Sequence, residues 1–72
     1  MSERPLRKRS LSLSGHATSL ALEPEFWAVL ERMAAEDATT LANLVVRIDA
    51  ERAERPLASA CRVAALRWSQ KR

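Results

Sequence analysis

The sequence predicts a mainly α-helical chain with one β-strand near its start, completed by a partner chain. Three observations carry this. Residues 17–23 read as a strand, with Thr18, Leu20 and Leu22 on one side and Ala17, Ser19 and Ala21 on the other. That period of two marks a half-buried strand. At Glu23-Pro24 the period changes to that of a helix, and only helical patterns follow. A lone strand leaves its backbone donors and acceptors unpaired, so it needs a second strand from outside, most simply its own copy.

The first helix is expected from Pro24 to Glu36. Pro suits the first helical position and Glu25 the positive end of the helix dipole. Phe26, Val29, Leu30, Met33 and Ala34 recur at i, i+3, i+4, i+7 and i+8, one buried face with Trp27 at its edge. Asp37-Ala38-Thr39 interrupts the pattern without a Gly to close the helix. Thr40 is an N-cap for a second helix, with Leu41, Leu44, Val45 and Ile48 as its apolar stripe. That helix fades near Glu54, ahead of Pro56. A third helix is expected from about Leu57 to Ser69. Leu57, Ala60, Cys61 and Ala64 share a face that Trp68 continues, flanked by Val63 and Leu66. Ser59 is either its cap or an exposed residue of its first turn.

Ahead of the strand, residues 1–9 read as a disordered basic arm and residues 10–72 as the folded domain. Ser10 to Ser14 alternates like a strand until Gly15 interrupts it. This segment either extends the ribbon or forms an ordered arm. Charge is unevenly placed along the 72 residues, whose net charge is +3. Arg4, Arg7, Lys8 and Arg9 crowd the start against Glu3, and no acid follows Glu54. A basic arm before a folded core suits a polyanion, and a solubilising tail is the plainer reading. A third is a mitochondrial presequence, which Glu3, Pro5 and Gly15 disfavour.

Composition excludes several classes. A chain this small usually needs a staple. With a single cysteine, Cys61, and a single histidine, His16, it makes neither an internal disulfide nor a four-ligand zinc site. Oligomerisation is the staple that remains. No apolar run approaches the roughly 20 residues of a membrane span, so a cytoplasmic protein is expected. Cys61 reads as a small buried hydrophobe, His16 as a turn residue, and the tryptophans as core or interface residues. Ser, His and Asp are not ordered as a catalytic set, so no enzyme, metal or cofactor is expected.

The segments Gly15-His16, Thr18 to Leu20 and Leu22 to Trp27 set out a strand followed by a helix. Leu41, Leu44-Val45 and Ile48-Asp49 mark the second helix, and Ser59-Ala60 with Arg62-Val63 the third. Together, over roughly residues 10–68, they resemble the ribbon-helix-helix family of Arc- and Met-repressor-like proteins, closest to a short bacterial branch. The resemblance implies a β-α-α fold plus a third helix, in an intertwined homodimer whose two strands form an antiparallel ribbon. It implies a transcriptional regulator docking that ribbon in the major groove of double-stranded DNA. Ala17, Ser19 and Ala21 would then face the bases. The start of the second helix, Thr40 with Leu41 and Ala42, would hold a phosphate. Arg4, Arg7, Lys8, Arg9 and His16 would add contacts to DNA. Leu20, Leu22, Phe26, Leu30, Leu44, Val45 and Ile48 would form the core and dimer interface. Ribbons of this family usually carry Arg, Lys, Asn or Gln outward, whereas this one carries Ala and Ser, a poor set for reading bases. That departure keeps an alternative: a dimeric protein-interaction module, antitoxin-like or an assembly factor, with weak or no sequence-specific DNA binding.

Overall fold

A computed structural model describes residues 5–71. The chain opens with a β-hairpin, not a lone strand. β1 (Arg7–Leu13) pairs antiparallel with β2 (His16–Leu22), in a register running from Arg7 opposite Leu22 to Leu13 opposite His16. Three helices follow: α1 (Pro24–Glu36), α2 (Leu41–Glu51) and α3 (Leu57–Gln70).

The hairpin corrects two expectations at once. The fold has two strands where the sequence pattern predicts one, and Arg7, Lys8 and Arg9 belong to β1 instead of a disordered arm. Arg4 and the rest of residues 1–4 lie outside the described residues. Of the two readings of residues 10–14, the ribbon one holds, but the ribbon lies within the chain. The cause is the two-residue turn Ser14-Gly15, with φ of 53° and 86°. Left-handed conformations at both positions are what a type I′ turn needs, and its twist matches that of the strands it joins. The Gly expected to interrupt a strand instead reverses it. The strand's need for a partner is met internally, so pairing alone no longer argues for a second copy.

The inner face of the hairpin lies on the helices. Leu13, Leu20 and Leu22 are buried there with Trp27, Leu30 and Ala34 of α1, Leu44, Val45 and Ile48 of α2, and Ala60, Cys61 and Ala65 of α3. Of the expected core and dimer-interface set, Leu20, Leu22, Leu30, Leu44, Val45 and Ile48 are buried within the chain and Phe26 is half-buried. The stripe of α1 is rotated by about one residue from that expected. Trp27 is at its centre, only 2% exposed, while Phe26, Val29 and Met33 are half-buried. The rotation follows from the hairpin, whose β1 end covers the Trp27 side of α1. The Trp27 Nε1–H donates to the Arg7 carbonyl at 2.8 Å.

The helix ends show how the chain manages with one glycine. Thr39 N–H donates to Ala34 O and Ala38 N–H to Ala35 O, closing α1 in a Schellman arrangement with Ala38 at φ 53°. An alanine there bears the left-handed penalty of about 1–2 kcal/mol. Ala38→Gly is therefore expected to stabilise the fold by about 0.5–1 kcal/mol, the relief being offset partly by the extra entropy Gly loses. A denaturation midpoint equal to or below that of the parent chain would contradict this. Thr40 caps α2 as expected, its Oγ1 accepting from Asn43 N–H at 3.0 Å. α2 stops at Glu51, earlier than expected. Arg52 then holds the turn to α3, donating to Asp49 Oδ1 at 2.6 Å and to the Arg55 carbonyl at 2.8 Å. α3 starts directly after Pro56, and Ser59 lies within its first turn.

Candidate nucleic-acid interface

The register of the hairpin assigns its outer face. Lys8, Ser10 and Ser12 of β1 stand opposite Ala21, Ser19 and Ala17 of β2. All are exposed except Ala21, which is half-buried. Ala17, Ser19 and Ala21 therefore do point away from the core, as their alternation predicts. Sequence reasoning missed the companion row. Its signal is present in Lys8-Arg9-Ser10-Leu11-Ser12-Leu13, which alternates in the same way, but the basic residues resemble an arm. The two rows make a surface of short side chains with hydroxyls at Ser10, Ser12 and Ser19 and an ammonium at one end. The hairpin contains no acid.

The basic residues divide into two kinds. Arg7 and Lys8 are exposed at the open end of the hairpin, and their side chains have no acidic partner among the described residues. Arg9 shares the face of Arg7, across from Leu20 and opposite to that of Lys8. Its guanidinium lies over the Trp27 ring at 4.6 Å and its Nη1 donates to Glu31 Oε2 at 2.7 Å. That arrangement covers the indole and keeps Arg9 on the helix side. It is an ion pair with both partners about half-exposed, so its worth is modest, roughly 0–1 kcal/mol.

His16 follows the turn, exposed and opposite Leu13. It lines a groove with Leu13, Asp49, Arg52 and Leu57, so the turn end of the hairpin sits by the C-terminal end of α2. Thr40, Leu41 and Ala42 are at the other end of that helix, about 16 Å along its axis. The structure does not bring His16 and the α2 start together. Thr40's side chain is occupied by the Asn43 amide, which leaves the Leu41 and Ala42 amides as the donors of the helix start.

Two further groups are structural. Glu23, at the junction of β2 and α1, accepts from Arg62 Nε at 2.9 Å and so ties α3 to the ribbon. The Arg62 hydrogen bond holds the Glu23 carboxyl below its ordinary range. Cys61 is fully buried, and burial pushes its thiol up to about 11, which keeps it protonated at neutral pH. Among the described residues no helix is long and apolar enough to cross a membrane.

A family model described as "Ribbon-helix-helix domain" matches residues 6–69. Among solved structures, that of an uncharacterized protein from Bordetella pertussis Tohama I is similar, with 37% sequence identity and a TM-score of 0.75. The match covers 92% of this chain and 57% of that one, so the chain spans little more than half of that relative. No curated protein matches the chain.

Proposed function

Because the chain belongs to the ribbon-helix-helix family, whose members are generally non-enzymatic DNA-binding regulators, we propose that it is a homodimeric transcriptional regulator that lays its hairpin in the major groove. The observation that carries this reading is the outer face of the hairpin: free of acids, hydroxyl-bearing and basic at its open end. A two-stranded ribbon fits the major groove, where each base pair presents its own donor–acceptor pattern. Ser10, Ser12 and Ser19 can donate or accept there, and the Ala17 and Ala21 methyls can touch thymine methyls. Lys8 supplies a charged donor to guanine or phosphate. Arg7 and Arg4 add salt-sensitive phosphate contacts, the Leu41 and Ala42 amides beside Thr40 can take a phosphate, and His16 approaches DNA from the turn. Arg9 joins only by leaving Glu31. With so few long polar side chains on the ribbon, this reading expects affinity to rest more on phosphates than on base edges.

A second copy is supported by surface that one chain leaves open. Phe26, Val29 and Met33 are half-buried on α1, Leu66 is 54% exposed on α3, and both hairpin strands have a free edge. A symmetric dimer would cover such surface and match a two-fold operator.

The test is fluorescence anisotropy with labelled duplexes at low and physiological salt. Binding should weaken linearly on logarithmic axes as salt rises. Arg7→Ala with Lys8→Ala should lower that slope by about 0.9 for each phosphate left without its cation. No binding to any duplex at low salt would overturn the DNA reading and favour the interaction-module alternative.

A further inference from the structure

We propose that the groove between the C-terminal end of α2 and α3 docks an acidic amphipathic segment of a partner protein, independently of the DNA face. The groove has a volume of about 330 Å³ and an apolar floor of Ile48, Ala60, Val63 and Ala64. That volume lies at the small end of ligand sites, the size for one or two aliphatic side chains and no more. Its rim is basic: Arg52, Arg55 and Arg67 line it against one acid, Glu51.

The three arginines are not equivalent. Arg52 is committed, its guanidinium held by Asp49 and by the Arg55 carbonyl. That bond, with Arg55 N–H donating to Arg52 O at 2.9 Å, builds the turn and sets where Arg55 emerges. Arg55 and Arg67 are exposed, and their side chains have no partner among the described residues. The groove is thus an apolar slot with a free guanidinium from the α2–α3 turn and another from α3. Lys71 follows Arg67 by one helical turn, at i+4, and extends the positive rail along α3.

This combination selects the occupant. An apolar floor gives a DNA backbone nothing to contact, whereas a leucine or isoleucine would lose its hydration there. Carboxylates on the same segment, three or four residues away, would meet Arg55 and Arg67, and Arg pairs carboxylates in a bidentate fork. A helix with alternate apolar and acidic turns presents both at the required spacing.

A synthetic helical peptide with Leu on one face and Glu on its flanks, titrated into the isotopically labelled full chain, tests this by NMR. Amide shifts are expected at Arg55, Ala60, Val63, Ala64 and Arg67, with little change at Ser10 or Ser19. Arg55→Ala with Arg67→Ala, both at exposed sites, should weaken binding about tenfold, and an analogue with Lys for Glu should not bind. Absence of shifts, shifts on the hairpin instead, equal binding of the Lys analogue, or a groove already covered by a second copy of this chain would each overturn the proposal.

Discussion

Trp27→Ala is expected to destabilise the chain by about 3–5 kcal/mol, a large share of what a domain of this size has. Three effects add at this position. The side chain is 2% exposed, so its removal leaves the largest void a single substitution can make in this core. The Arg7 carbonyl loses its 2.8 Å donor at the end of β1. Arg9 loses the indole face 4.6 Å below it, and with that the geometry that brings it to Glu31. The first effect dominates, since Arg9 and Glu31 remain partly solvated. Trp27→Phe separates them: it keeps most of the apolar volume, loses the N–H, and should cost far less than Trp27→Ala. Urea denaturation followed by far-ultraviolet circular dichroism measures both. A loss below about 1 kcal/mol for Trp27→Ala would mean that the hairpin does not depend on α1.

The second large effect is expected one residue apart on the two faces of β2. Leu20→Asp should unfold the chain at neutral pH, because Leu20 is 4% exposed among apolar side chains and a carboxylate there has no partner. Ser19→Asp should leave the fold intact, since Ser19 faces solvent opposite Ser10. On the DNA reading it should nevertheless abolish duplex binding by setting a carboxylate against phosphates and base acceptors. Circular dichroism and anisotropy on the two variants distinguish fold from function. A folded Leu20→Asp chain would refute the strand's assigned inner face, and a Ser19→Asp chain that still binds DNA would refute the outer one. The dimer is read separately: denaturation midpoints that rise with protein concentration indicate it, and midpoints that do not change count against it.

Leu20 also shows how the same substitution acquires a different cause. The alternating pattern alone assigns its burial to a second chain. In the fold, it is buried within one chain, because β1 closes the ribbon internally. The instability expected of Leu20→Asp is unchanged, but it would be measured even in a monomer.

Local signals determined most of the architecture. The alternation of residues 17–22, the Pro24 helix start, the Thr40 cap and Pro56 placed β2 and all three helices close to where they occur, because each signal acts through bonds within a few residues. The same alternation assigned Leu20 and Leu22 to the core and Ala17, Ser19 and Ala21 to the surface. Tertiary structure decided what depends on residues far apart in the chain. It made Arg7-Lys8-Arg9 a strand, since pairing with Ala21 and Leu22 is settled only when the Ser14-Gly15 turn closes. It moved Trp27 from the edge of a stripe to the centre of the core, since burial of α1 follows from which side the hairpin covers. It set Arg9 on the inner face beside Leu20, since the hairpin register fixes its side and brings Trp27 and Glu31 within its reach. It brought Arg55 and Arg67 to one groove, since the Arg52 turn and the α2–α3 packing are both needed to set them there.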